Sequence, residues 1–426
     1  MSERRVRWVR GVCAGVVAVA ALEFVVATTA MTLRRLPDST DFATYYLAGT
    51  QAREGLSPYD AAALVERGHA LGFAYDQFPF LYPPPFALAM QPLAGLSYER
   101  ARAVWVLVVT AALFVGLIVN ARILRLQAAQ LQLENRLYVW IVVAAFVPAA
   151  LNSTGVHNDI RAGSVASLLY LALVLVVWGT LARRHTTTAL GLSAAVIVKL
   201  TPIVLLSWAA WRGARRATWW SLGVLAVAAA ASAWRWGADI GVEYVRTALW
   251  PAWLHEAPLP MNQSLDAVLS RLLVPSDAVR APFDAPGLKT VASLLLSATL
   301  AGATLWSLRH RTRHRALLPV ELGLVTLALL MLMKLTWLHT LAAILFVWPC
   351  VMLAVLRAAE RGAPWALRMG ITAAVGFFLS SAHIPVLWSG LRQGPATLFI
   401  SIHFVGLFIL WWVCRHVLRH ESDIVS

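Results

Sequence analysis

Apolar stretches of about 17–25 residues recur from one end of this chain to the other, and no other feature limits its fold so tightly. Each is long enough to cross the roughly 30 Å hydrocarbon core of a bilayer as a helix. In lipid every backbone polar group must be satisfied within the protein, which leaves helices or closed barrels. The runs here are continuous rather than alternating, so they read as helices. Charge content agrees: 13% of the 426 residues are charged and 59% are hydrophobic, where a soluble chain would carry roughly a quarter charged. The expected fold is an all-α polytopic integral membrane protein, a single membrane-embedded domain over 1–426 with no internal repeat and no soluble domain.

A net charge of +15 raises the question of nucleic acid, and its distribution answers it. The basic residues gather in short clusters between apolar runs: Arg4-Arg5, Arg183-Arg184, and the segments 212–216, 309–315 and 415–419. That is the distribution of cytoplasmic loops, so no nucleic-acid partner is expected. Two longer loops break the pattern. Loop 31–80 holds 6 acids against 4 bases and loop 237–288 holds 6 against 3, together 12 of the 21 carboxylates. Both are expected outside the cytoplasm, facing each other. Cys13, Cys350 and Cys414 lie in separate apolar segments without metal-ligand spacing, as packing residues do. The basic, then apolar, N-terminus has no convincing cleavage site and reads as an uncleaved first helix.

Helix one is expected over 8–32, entering from the cytoplasm. In the loop that follows, 40–54 and 58–71 are expected as two short helices along the membrane surface. Phe42, Tyr45, Tyr46 and Gly49 recur at three- and four-residue steps, as an amphipathic surface helix requires, and Pro58 stands where a helix can begin. Apolar segments then cover 80–96, 101–124, 136–152, 163–182, 188–211, 217–236, 288–308, 316–334, 338–357, 365–388 and 397–418. With the first helix that makes about 12 crossings, with both termini cytoplasmic. If 80–96 and 188–211 are re-entrant instead, 10 crossings remain, and the basic segments at 122–136 and 183–184 return to the cytoplasm. Prolines near the first and inside the second permit re-entry. Charge counting favours ten and the uninterrupted length of 188–211 favours twelve; the reading adopted is twelve.

The loop at 33–80 is more polar than its neighbours and carries unusual motifs. Asp41-Phe42 precedes the pair Tyr45-Tyr46, Gly55-Leu56-Ser57-Pro58-Tyr59-Asp60 follows, and Tyr82-Pro83-Pro84-Pro85-Phe86 opens the next apolar run. Lys199 and Pro202 stand inside a later run, Asn262-Gln263-Ser264-Leu265 in the second acidic loop, and Trp337-Leu338-His339 near a helix start. In this order, over about 38–350, these residues resemble glycosyltransferase family 87, the polyprenol-phosphate-mannose-dependent mannosyltransferases. The chain departs from that family at 161–166, where Arg161-Ala162-Gly163-Ser164-Val165-Ala166 stands in place of a Gly-Gln and a following Asn. That stretch is closer to the Arg-Gly-Ser pattern of other GT-C mannosyltransferases, and it bears on the donor sugar more than on the reaction.

The resemblance implies a GT-C-type membrane fold with 33–80 as extracytoplasmic catalytic loop and 237–288 as a second one. It also implies a single inverting displacement in which Asp41 takes the acceptor hydroxyl's proton. Such a base contributes roughly 10²–10⁴-fold when in hydrogen-bond reach. Asp41 also suits a helix start, where its oxygens and the dipole favour it, and the two roles are compatible. A polyprenyl-phosphate leaving group needs fixed positive charge. Lys199, in the middle of an apolar segment, is the first candidate, against a snorkelling role. Arg161 at a helix start and Arg271 follow, with a boundary arginine as the plain alternative for Arg161.

His339 is expected to shuttle a proton, orient Asp41 or contact phosphate, or to be a polar anchor; Lys334, one turn earlier, reads as an interface anchor. Tyr45, Tyr46, Tyr82, Trp337, Asn262 and Gln263 are the expected sugar or acceptor contacts, although aromatic belts at interfaces are common. His157, Asn158 and Asp159 form a polar group at a helix end that reads as a cap. Asp38 and Asp41 are an acidic pair, but Arg34 and Arg35 beside it reduce the need for an ion, so no metal and no cofactor are expected.

The expected activity is transfer of a hexose, mannose first, from a polyprenyl-phosphate donor to a lipid-linked or cell-envelope glycan, in the plasma membrane and at its extracytoplasmic face. The expected partners are that donor, that acceptor and membrane lipids. The competing class is a transporter or flippase of lipid-linked saccharides. Transporters often show internal repeats, whereas the large first loop here has no counterpart in the second half of the chain.

Overall fold

The computed structural model describes residues 3–33, 40–74, 79–254, 258–309 and 314–425. Among them the regular structure is helical, with isolated two-residue bridges in place of any strand. In chain order the helices begin with α1 (Glu3–Leu33), α2 (Thr40–Glu54), α3 (Ala61–Ala70), α4 (Pro84–Met90) and α5 (Tyr98–Gln130). There follow α6 (Leu137–Leu151), α7 (Thr154–Ala162), α8 (Ala166–Leu181), α9 (His185–Val198), α10 (Val204–Trp211) and α11 (Arg215–Trp236). Beyond them come α12 (Ile240–Tyr244), α13 (Trp250–Leu254), α14 (Leu265–Leu273), α15 (Pro286–Leu308) and α16 (Leu318–Leu332). The last are α17 (Val347–Glu360), α18 (Ala366–Ser381), α19 (Thr397–Ile400), α20 (Ile402–Arg419) and α21 (Glu421–Val425).

Among the described residues seven helices are long and apolar enough to span a bilayer, or eight if α6 and α7, bent by 43° at their junction, count as one. The chain is a multi-pass membrane protein. Segment 80–96 is not among these spans, which corrects its place in the count of twelve. It forms the seven-residue α4 and a short turn at Leu93–Gly95. At 1.5 Å per residue α4 covers only about 10 Å. Prolines explain the shortness: Pro84 stands in the first turn, where its missing N–H costs nothing, and Pro92 follows two residues after the helix ends. The stretch 188–211 is broken too, at Lys199, into the fourteen-residue α9 and the eight-residue α10.

The chain divides into two compact units. An inner unit comprises Ala27–Gly116 and Asn158–His255, and a terminal unit comprises Met1–Val26, Leu117–His157 and Glu256–Ser426.

In the inner unit α2 is enclosed rather than laid on a surface. Every residue from 42 to 49 is buried, so the amphipathic surface helix expected there is corrected: no face is left for lipid or water. Gly49 is where α4 crosses; an added Cβ would stand 2.9 Å from the Met90 carbonyl oxygen. α3 begins at Ala61, later than Pro58, because Asp60 caps it by accepting from the Ala63 N–H at 3.1 Å. Arg235, in the last turn of α11, donates to the carbonyls of Ala52 (2.8 Å) and Arg53 (2.8 Å) and holds the end of α2. Near the other end of α11, Ser221 donates to Ala189 O at 3.2 Å, so the turns at 182–184 and 212–214 share one end of this unit.

The terminal unit is built around α16, whose side chains are buried almost all round, as a helix apolar on every face must be. The backbone N–H groups of Glu134 and Asn135 donate to Glu360, at 3.2 and 3.1 Å. Trp365 Nε1 donates to Asp423 at 2.8 Å. The turn at 131–136 therefore lies at the end that also holds the 360–365 turn and α21. At the opposite end the His383 ring meets the Asn152 carbonyl at 2.7 Å.

Candidate active site

The expected site residues divide between the units. The inner unit holds Asp41, Tyr45, Tyr46, Tyr82, Arg161 and Lys199; the terminal unit holds Asn262, Gln263, Arg271, Trp337 and His339.

Asp41 occupies the first turn of α2, where the unpaired N–H groups of a helix start favour a carboxylate. Burial works the other way and dominates. It pushes the Asp41 pKa from 3.8 up to about 7, the charge of Asp159 adds to the rise, and Lys199 draws it down. A carboxyl with that affinity is half-ionised near neutral pH, which suits a general base. Lys199 is not inside a helix, as the sequence suggested, but at a break. Its backbone is extended (φ −153°, ψ 129°) after the last turn of α9, and Pro202 starts a tight turn just beyond. In a continuous helix Pro202 would clash with the carbonyl of Val198 and leave it without a donor, which is why the break falls just before it. The half-buried ammonium thus stands at the carbonyl end of α9, where a cation is favoured.

Around Asp41 lies an aromatic wall. The Tyr45 ring is 0% exposed and meets Tyr82, Phe86 and Trp105 edge-on. Its hydroxyl donates to the Tyr82 hydroxyl at 2.6 Å. Tyr46 donates to Leu96 O at 2.8 Å, with its ring against Phe42 and Tyr98. Both rings are thereby buried. Tyr82 is half-buried and leaves a phenol edge in play. Arg161 is exposed on α7.

Asp159 is what sequence reasoning undervalued. It is fully buried, and all its contacts are donors. Its Oδ1 accepts from Ser164 Oγ and from the Ala166 N–H (3.0 Å), and its Oδ2 from the Ser167 N–H (2.9 Å) and Ser167 Oγ (2.5 Å). It caps α8, as its place before an apolar run suggested, but its charge also reaches Asp41.

In the terminal unit the expected sugar-binding amides are spent on backbone. Asn262 donates to Lys334 O (2.8 Å) and accepts from the N–H groups of Thr336 (2.9 Å) and Ser264 (3.2 Å). Gln263 donates to Pro260 O and Ile400 O, both at 3.0 Å. With Gln263 N to Thr336 O (2.6 Å) and Leu338 N to Met261 O (3.1 Å), they latch the 259–264 loop to the strand-like stretch before His339. Arg271, expected at the donor phosphate, is 0% exposed. It donates to Leu259 O (3.0 Å), Asn262 O (2.6 Å) and Ser401 Oγ (2.9 Å), and burial draws its pKa down to about 9. These three residues hold the loop. Trp337 and His339 are half-buried on its partner segment.

Lys334 does more than anchor an interface. With Lys289 it flanks Asp266, at 2.9 and 3.1 Å. Burial pushes the Asp266 carboxyl up, but its hydrogen bond from Lys334 and the charge of Lys289 outweigh that and hold it below the usual carboxylate range. Asp38, Arg34 and Arg35 lie outside the described residues, as do parts of both acidic loops and of the 309–315 cluster.

The model of glycosyltransferase family 87 matches residues 80–333. The matched stretch includes Tyr82, Arg161, Lys199, Asn262, Gln263 and Arg271; Asp41, Tyr45, Tyr46, Trp337 and His339 fall outside it. No curated protein and no solved structure matches the chain.

Proposed function

This chain belongs to glycosyltransferase family 87, and from that premise we propose that it transfers a hexose, mannose first, from a polyprenyl-phosphate donor to a lipid-linked or cell-envelope glycan. Membership makes glycosyl transfer, rather than saccharide transport, the reaction class. The observation that carries the finer reading is Asp41: a carboxyl enclosed at a helix start, with its proton affinity raised to near neutrality and Lys199 acting on it from the same unit.

In this mechanism Asp41 takes the proton of the acceptor hydroxyl as its oxygen attacks the anomeric carbon. The new carbon–oxygen bond forms on the face opposite the breaking bond to phosphate oxygen, so the configuration inverts. The polyprenyl phosphate leaves with the bonding pair, and its charge is met by Lys199 in a site screened from water. Tyr82 borders the sugar.

We read the chain as crossing the plasma membrane ten times, with 80–96 and 188–211 re-entrant, the reaction on the extracytoplasmic face and both termini cytoplasmic. Three observations support this: α4 is short, the 131–136 turn shares an end with α21, and the turns at 182–184 and 212–214 share an end. Ten crossings return the basic 122–136 and 183–184 segments to the cytoplasm, as the positive-inside rule requires.

The test uses purified protein in lipid nanodiscs with polyprenyl-phosphate mannose and a lipid extract as acceptor. Release of polyprenyl phosphate is expected from the native chain and at least roughly 10²-fold less from Asp41→Asn, with donor binding retained. Equal release from both would remove Asp41 from the mechanism.

A further inference from the structure

We propose that Asp159 is a positioning residue for the reaction, a negative charge held against the start of α2 to act on Asp41. The inference rests on the assignment of Asp41 as the general base.

The geometry begins at the turn between α7 and α8. Gly163 has φ +64° there, and an added Cβ would stand 2.8 Å from Phe42 Cβ. Its carbonyl accepts from Trp105 Nε1 at 2.7 Å. The turn is thus pressed onto α2 one residue from Asp41, and only glycine fits both the left-handed backbone and the close approach.

Asp159 stands at the start of that turn. Both its oxygens accept, from two serine hydroxyls and two N–H groups at the start of α8. Hydrogen bonds to the charged form stabilise it, and the same helix start adds its dipole. Burial lifts the Asp159 proton affinity above the ordinary carboxylate range, and these donors pull it back down. Two like charges in one enclosed site drive the two proton affinities apart, and the charge of Asp159 adds to the rise that burial causes at Asp41.

The surroundings leave few rivals for this influence. Lys199 opposes it, and the phenols of Tyr45 and Tyr82 also face Asp41. α4 carries no charged residue, on α3 Arg67 is paired with Glu54 at the far end of α2, Glu99 of α5 and Arg53 act on Tyr46, and Arg235 of α11 is engaged by the carbonyls of Ala52 and Arg53.

A plain capping role for Asp159 makes a different prediction, because a cap affects stability and not the titration of Asp41. The experiment follows release of polyprenyl phosphate from polyprenyl-phosphate mannose between pH 5 and pH 9, in nanodiscs. It compares the native chain with Asp159→Asn, Asp159→Ser, Ser167→Ala and Asp41→Asn. The two neutral variants remove the charge while keeping a capping oxygen; Ser167→Ala removes one donor from the same cap and keeps the charge.

The acidic limb of the native profile is expected near pH 7. In Asp159→Asn and Asp159→Ser it should move down by on the order of one pH unit, so that relative activity at pH 6 rises severalfold. Ser167→Ala should lower the melting temperature and leave the limb in place. A limb unmoved in a folded Asp159 variant, or moved equally by Ser167→Ala, would overturn the proposal while the loss in Asp41→Asn still upheld Asp41 as base. Full activity in Asp41→Asn would overturn both.

Discussion

A carboxyl enclosed by protein holds its proton more tightly than one in water, and at Asp41 this has two opposite consequences. Its folded-state pKa, about 7, lies above the ordinary 3.8. The stability linked to it is therefore fully present below about pH 4 and is lost as pH rises through 7. Catalysis needs the ionised form, so activity should grow over the upper part of the same window. Asp41→Asn is expected to melt a few degrees above the native chain at pH 8, with the difference narrowing at pH 5 and closing only below about pH 4, and thermal unfolding in detergent across this range checks it. Arg271 gives the contrasting case. Its guanidinium bonds Leu259 O, Asn262 O and Ser401 Oγ from full burial. Arg271→Met leaves those acceptors unmet and should cost at least about 3 kcal/mol. Donor affinity should hold in whatever fraction folds. A raised donor Kd with an unchanged melting temperature would return Arg271 to the phosphate site.

At the scale of elements, the bounds of α2 match the expected 40–54, and its surroundings do not. Three- and four-residue steps reveal one apolar face, but a helix enclosed on all sides needs neighbours that no local pattern encodes. The same limit applies to Asn262 and Gln263: side chains that bind sugars and side chains that latch loops are the same amides, and only their partners differ. Apolar length likewise hid the shortness of α4, although Pro92 marked its end. The break at Lys199 was legible in Pro202, and the cap at Asp159 in its place before an apolar run. One glycine tests how tightly α2 is held. In Gly49→Ala the new methyl meets the Met90 carbonyl at 2.9 Å, so α2 must separate from α4, at a cost of about 1–3 kcal/mol. Because α2 carries Asp41, kcat should fall with little change in donor KM. Parallel activity and stability assays separate these effects.

For the whole molecule, the crossing count decides which loops meet the cytoplasm. Cys13, Cys350 and Cys414 are buried, so single cysteines introduced at Gln132 and Arg183 can be read against a low background. Ten crossings place both on the cytoplasmic side, open to a permeant maleimide and closed to an impermeant one in intact cells. Labelling by the impermeant reagent would restore twelve. The break at Lys199 then bears on how the chain is made. On the ten-crossing reading this hairpin enters and leaves by one face and translocates no loop, and a charged tip gives it little reason to enter lipid alone. Its wall is partly α11, tied to it by Ser221, and α11 is synthesised afterwards. On that reading the seating of α9 and α10 is completed only when α11 emerges, and a nascent chain arrested before residue 215 should leave Lys199 more open to water than in the full chain.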